Sequence, residues 1–397
     1  MVQMDMQTKH RYLSILRGRY REAISKQEKT QIIDELVANT GYGRKYAITK
    51  LNNGHVSTER EKGIRHRTCK YTCDLKVPLR DIWLILNRPC SKRLKPQIPE
   101  MIRILKRHGE LDITNGQEEL LKEMGTWTID RLLLGERRRN KGLSGTKPSE
   151  YMLNKTIKVR TNFDDIGTTG YLEIDTVHHC GEHLTGEYGV TMNCIDIDSL
   201  WSEQECFIGC NKHNVISGFD KIRRRVPFSV LAVDFDNGSE FKNYSFVDYC
   251  KKNNIDVTRS RSYKKNDQCY IEGDNYLDVR NLIGYKRYDR NSEIELINDI
   301  YRNEHRLLNN FFYPNMKLKT KERDGGKVIK RYDVAKTPYA RLLESNDLQK
   351  EVKEELKRLY DSLNPAELRR NLDRKLSRLM KMSRVGKLNR ATGGTMV

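Results

Sequence analysis

Long apolar runs are missing from this 397-residue sequence. Nothing approaches the ~18 consecutive apolar residues of a membrane span, so none is expected. The opening MVQMDMQTKHRY has no apolar core of the kind that marks a secretory signal, and no such signal is expected. Cysteine is sparse and odd in number, nine residues scattered along the chain, which fits a reducing cytoplasm and argues against a disulfide scaffold. His66, Cys69, Cys73, His178, His179, Cys180, Cys194, Cys206 and Cys210 show no paired zinc-ligand spacing. No G-x-x-x-x-G-K-[ST] segment is present, so ATP use is not indicated.

Positive charge is what the chain has in excess. Lys+Arg number 74 against 54 Asp+Glu, a formal net charge of +20. It is segregated: +16 over residues 1–160, −5 over 161–290 and +9 over 291–397. Basic flanks suit a polyanion, above all nucleic acid, because each neutralised phosphate releases condensed counterions. An acidic centre in such a protein opposes DNA binding, so carboxylates with a chemical purpose are expected there.

Hydrophobic periodicity divides the chain further. Ile32, Ile33, Leu36 and Val37 keep helical spacing, stop at Thr40-Gly41-Tyr42-Gly43 and resume at Ala47, Ile48 and Leu51. This predicts a helix-turn-helix within residues 1–60, with Arg44, Lys45, Thr49 and Lys50 on the outer face as DNA-contacting residues. A second helical module is predicted over 61–134, ending in another helix-turn-helix that carries Arg131. A charged, turn-rich linker is predicted over 135–165.

Between residues 166 and 290 the pattern becomes strand, strand, strand, helix, strand, helix, strand, helix. The strands are read at Tyr171–His178, Tyr188–Ile195, Trp201–Ile208, Val230–Phe235 and Ile255–Arg259, the last helix at Cys269–Ile283. That order predicts a ribonuclease-H-like α/β core with a mixed five-stranded sheet. Residues 291–343 read as a helix and a basic hairpin around Asp324-Gly325-Gly326, forming a small C-terminal β/α region. Residues 344–397 read as a leucine-rich helical hairpin packed on the body, followed by a tail.

Three carboxylates in the core stand out. Asp175 lies inside the first strand, in EIDTV; Asp236 follows an apolar strand, in VDFDNGSEF; Glu272 opens the last helix, in DQCYIEGDN. Such a sheet sets the strands bearing Asp175 and Asp236 side by side. Clustered carboxylates repel one another unless cations neutralise them, and hard oxygen ligands suit two Mg²⁺ or Mn²⁺ ions. Asp234 shares a strand face with Asp236 and is its nearest rival.

The ordered set EIDTV, DNGSEF and a Glu separated from Asp236 by 35 residues resembles the bacterial insertion-sequence transposases with a retroviral-integrase-like core, the DDE recombinases. The segments TRSRSYKKNDQ and FFYPNMKLKTKERDGGKVIKRYDVAKTPYARLL extend the resemblance over most of residues 26–343. It implies a metal-binding and catalytic triad of Asp175, Asp236 and Glu272. It also implies divalent-metal-dependent cleavage and strand transfer on double-stranded DNA, transposon ends and target alike. A homo-oligomer in the synaptic complex is implied too, in a bacterial cytoplasm and on the nucleoid when DNA-bound. The chain departs from the pattern at Gly273 and Asp274, where many relatives carry a Lys; Lys264 and Lys265 are the expected substitutes as DNA contacts.

Overall fold

The computed structural model describes residues 5–52, 70–138, 158–159, 167–235, 244–259, 271, 275–324 and 327–392. The chain divides into two compact units, residues 1–70 and 71–397.

The first unit has three helices, α1 (Met6–Glu22), α2 (Lys26–Thr40) and α3 (Arg44–Asn52). Ser25 and Glu28 form a reciprocal capping box at the start of α2. Gly41 ends that helix in the left-handed region at φ 71°, which a glycine adopts without strain. Helices α2 and α3 flank this turn, and α1 is an addition that the periodicity did not reveal. Its basic residues hide a narrow apolar stripe, Leu13 and Leu16, which meets Ile32, Ile33, Leu36, Ala47 and Leu51 in one core.

The second unit starts with α4 (Lys76–Ile85), α5 (Ser91–Leu94), α6 (Ile98–Arg107), α7 (Asn115–Glu123) and α8 (Thr126–Arg138). Residues 71–134, most of the stretch expected as a separate module, share a core with the C-terminal helices: Ile82, Trp83, Ile102 and Leu133 belong to one cluster with Leu308, Phe311, Leu372 and Leu379. Polar contacts lock the same junction. Arg370 pairs with Glu110 at 2.6 Å, and Tyr360 donates to Glu100 at 2.9 Å. Helix α8 also runs four residues into the stretch expected to be linker.

The sheet has the order β1-β6-β5-β2-β3-β4, from β1 (Lys158–Val159), β2 (Tyr171–His178), β3 (Gly189–Asp196), β4 (Ser202–Ile208), β5 (Ala232–Phe235) and β6 (Asp256–Arg259). Strands β2, β3 and β4 are antiparallel; β2, β5, β6 and β1 are parallel. The five expected strands occur in the ribonuclease-H-like order. A sixth, two residues long and inside the stretch expected to be linker, is added at one edge. Helices α9 (Lys212–Arg223) and α10 (Tyr244–Lys252) cover one face, where Leu172, Ile174, Met192, Cys194, Val233 and Phe235 meet Val215, Phe219, Ile222 and Phe246.

At the other edge β4 would present unpaired backbone groups, a template for unwanted pairing. Two asparagines from the helical segment that follows the sheet, α12 (Asn291–Ile300) and α13 (Arg306–Phe311), satisfy them. Asn298 accepts from Cys206 N at 2.7 Å and donates to Cys206 O at 2.8 Å; Asn310 does the same for Ser202 at 2.9 and 2.8 Å. Between them Arg225 donates to Gln204 O at 2.7 Å. Arg225 also bonds Glu203 at 3.1 Å and Glu205 at 2.9 Å, two buried carboxylates further neutralised by Arg306 and Arg302.

The C-terminal part holds the expected hairpin, β7 (Leu318–Asp324) and β8 (Lys327–Tyr332), then α14 (Pro338–Glu344), α15 (Lys350–Ser362) and α16 (Pro365–Thr392). The hairpin sets Lys321 directly opposite Lys330.

Candidate active site

Strand β2 lies in the middle of the sheet and carries Glu173 and Asp175 on one face, opposite to that of Ile174. Asp175 is half-buried. One of its carboxylate oxygens accepts from the Thr176 backbone N–H at 2.7 Å, the other from Asn275 Nδ2 at 2.6 Å. Glu173 is fully buried and accepts from the backbone N–H of Ile271 at 2.9 Å.

Asp236 and Glu272 lie outside the described residues, as do Gly273, Asp274, Lys264 and Lys265. Their neighbours in sequence are placed. Phe235, one residue before Asp236, pairs in parallel register with Ile174, one residue before Asp175. Ile271 and Asn275, one residue before and three after Glu272, are tied to Glu173 and Asp175 respectively. Asn275 begins a π-helical stretch, Asn275–Arg280, that passes into α11 (Asn281–Ile283). The sequence predicts a helix over Cys269–Ile283, and its described part is π-helical before it becomes α-helical. Wider turns of this kind recur at functional sites.

The rival carboxylate Asp234 is buried, opposite Glu173 in the β2–β5 register, and takes the Thr258 hydroxyl at 2.6 Å. This is a bond between neighbouring parallel strands, β5 and β6.

Behind Asp175 runs a set of polar groups that sequence reasoning missed. Asn193 stands directly opposite Asp175 on β3, and Gln204 directly opposite Asn193 on β4; both are buried. Asn193 donates to Asn275 Oδ1 at 2.9 Å, and Gln204 donates to Asn193 Oδ1 at 2.9 Å and to Ser202 Oγ at 3.1 Å. The available signal was an Asn inside TMNCID, a strand whose eight residues are all buried, where β-propensity disfavours Asn.

The Cys194 and Cys206 thiols are buried, which pushes the first above the usual thiol range and the second up to about 12, so both stay protonated. Among the described residues no three His, Cys, Asp or Glu side chains converge on one point, Asp236 and Glu272 being outside them. Also among the described residues, no helix is long and apolar enough to cross a membrane.

The expected DNA contacts belong to two places. On α3, Arg44, Lys45 and Thr49 are exposed and Lys50 is half-buried. Arg44 is paired with Asp34, Thr49 donates to Lys45 O at 3.0 Å, and Lys50 lies 5.2 Å from the Tyr46 ring centre. On α8, Arg131 is exposed and lies over Trp127, itself 72% exposed.

No family model matches the chain. The uncharacterized protein y4rM of Sinorhizobium fredii is 35% identical over 346 residues, covering 85% of this chain and 96% of that protein. Among solved structures, the catalytic core domain of BIV integrase is 16% identical with a TM-score of 0.29, covering 45% of this chain and 96% of its own. The HTLV-2 integrase catalytic core domain in complex with magnesium is 17% identical with a TM-score of 0.27, covering 40% and 91%.

Proposed function

The chain belongs to the family of protein y4rM of Sinorhizobium fredii, and on the geometry of its central strand we propose that it is a DNA transposase that cleaves and joins DNA strands. One observation carries the reading. Asp175 occupies the middle strand, and the residues flanking Asp236 and Glu272 are tied to the same three residues of β2, Glu173, Ile174 and Asp175. The triad Asp175, Asp236 and Glu272 is thereby expected at one point.

The half-buried Asp175 carboxylate, oxygen-rich surroundings and protonated thiols fit Mg²⁺ or Mn²⁺. When bound by the triad, two such ions would supply electrostatic stabilisation to the attacking and leaving oxygens of an in-line phosphoryl transfer. The chain's own residues position the partners. Thr176 N–H and Asn275 fix the orientation of Asp175, and Glu173 fixes the backbone entering Glu272. Hydrolysis first breaks a phosphodiester at the element's end and leaves a 3′-OH. That hydroxyl then attacks a target phosphate, forming one P–O bond as another breaks.

Exposed Arg44, Lys45 and Thr49 on α3, with Lys50, suit recognition of the element's ends, and Arg131, Lys264 and Lys265 are further contacts in this reading. Bringing two ends together requires at least a dimer. The test uses a labelled duplex taken from the flanks of the coding region, supercoiled target plasmid and Mg²⁺. Joined product supports the proposal, whereas cleavage without joining makes the protein a nuclease. Asp175→Ala should abolish both steps and leave binding to the labelled duplex intact; unchanged joining would refute the site.

A further inference from the structure

The amides behind Asp175 form a chain with one direction. A carboxylate only accepts hydrogen bonds, so Asn275 must turn its NH₂ toward Asp175 and its oxygen toward Asn193. Asn193 then presents NH₂ to Asn275, and its oxygen must accept from Gln204. Gln204 is the branch point. Its NH₂ supplies one bond toward Asp175 through Asn193 and a second to Ser202 Oγ, whose own proton goes to Asp278 at 3.2 Å. Both arms therefore end on a carboxylate, and both are oriented by two donors on a single side chain.

The polarity is anchored from outside as well. Asn309 donates to Ser202 Oγ at 2.7 Å and to Asp278, while Arg225 holds the backbone oxygen of Gln204. Asn193 and Gln204 are 0% and 1% exposed, so water is not available to replace a lost partner. An apolar side chain would fill these two positions with less risk of an unpaired buried amide. Polar residues there need a reason, and the terminus of the chain supplies one.

We infer that Asn193 and Gln204 are positioning residues for Asp175, acting through Asn275 as a one-way amide relay laid across β4 and β3. The inference rests on the reading of Asp175 as a metal-holding carboxylate. Without Gln204 the Asn193 amide oxygen loses the donor that fixes its direction. Asn275 then loses the partner that fixes its own orientation, and Asp175 loses a permanent donor.

The experiment titrates Mn²⁺ alone into the full chain and follows free Mn²⁺ by electron paramagnetic resonance, with no DNA present. Asp175→Asn should lose the site. Groups just outside a ligand shell typically change metal affinity 10–100-fold, so Asn275→Ala should weaken binding ~10-fold and the more remote Gln204→Met ~3-fold. The double variant should be no weaker than Asn275→Ala, because in the relay Gln204 acts on Asp175 through Asn275; independent roles would multiply to ~30-fold. Gln204→Glu keeps the volume but removes both donors, and it should weaken binding at least as much as Gln204→Met. It replaces Gln204→Met in the cycle if that variant does not fold. Wild-type Mn²⁺ affinity in Asp175→Asn would overturn the reading of the site itself. Loss in Asp175→Asn with unchanged affinity in the Gln204 variants, or a multiplicative double variant, would overturn the relay alone.

Discussion

Acid should destabilise this protein through His179, and the size of the effect follows from its surroundings. The ring is fully buried, with Nε2 2.7 Å from Thr191 Oγ1 and Nδ1 without a hydrogen-bond partner among the described residues. Burial, then the charges of Arg280 and His178, push its pKa down from 6.5 to about 3. The unfolded chain therefore takes up a proton that the folded chain refuses. Stability is complete above pH 6.5 and is lost as pH falls toward 3. Over the 1.5 pH units down to pH 5 the loss from this one group is ~2 kcal/mol. Buried His305, also lowered, acts in the same direction. Asp196 opposes them: burial raises it to about 6, so the folded state binds its proton first and gains ~1 kcal/mol between pH 6 and 5. His179→Gln keeps a group able to meet Thr191 and removes the titration. Urea unfolding of wild type and variant at pH 7 and pH 5 is the assay. The stability difference between them should shift by ~2 kcal/mol in favour of the variant at pH 5. Parallel pH profiles would refute the reasoning.

Three further perturbations probe other parts of the molecule. Arg225→Ala should cost ~3 kcal/mol by urea unfolding, since Glu203 and Glu205 stay buried with one fewer cation; a loss under ~1 kcal/mol would mean that Arg302 and Arg306 suffice. Asn298→Asp removes the donor to Cys206 O and uncovers the sheet edge, so it should lower stability by ~1–3 kcal/mol and raise concentration-dependent association by light scattering. Arg44→Ala and Lys50→Ala should each lower the slope of log affinity against log salt by ~1 on the flanking duplex, and equal slopes would return α3 to a purely structural role.

Much of the core was legible because strands and punctuation are local signals. Strand β2 spans Tyr171–His178 as its alternation predicts, and the order of the five main strands follows from where helices interrupt them. Helix α1 was not legible, since five of its residues are Lys or Arg and only Leu13 and Leu16 are buried. The fusion of residues 71–138 with the C-terminal helices was not legible either, because Glu110 and Arg370 are 260 residues apart and nothing local links them. The same holds for the edge asparagines. Asn298 and Asn310 look like ordinary helix residues until the strand they serve, about a hundred positions earlier, is set beside them.

The acidic middle of the chain is the instructive case. Its sum of −5 pointed to carboxylates with a chemical purpose, and the structure separates that sum into two populations. Glu203 and Glu205 carry full burial and a ring of arginines, which makes them part of the fold. Asp196 caps the turn after β3 by accepting from Gly170 N and from Ser199, and Asp278 closes one arm of the amide relay. These side chains contribute negative charge to the count and none to the proposed chemistry. Asp175 differs in kind: it is half-buried, gripped by a backbone N–H and an amide, and stands on the strand to which the flanks of Asp236 and Glu272 are tied. Net charge thus counts structural and candidate catalytic carboxylates alike. What singles out a candidate catalytic carboxylate is whether neutral donors leave its charge available, and that property belongs to the three-dimensional neighbourhood of each residue.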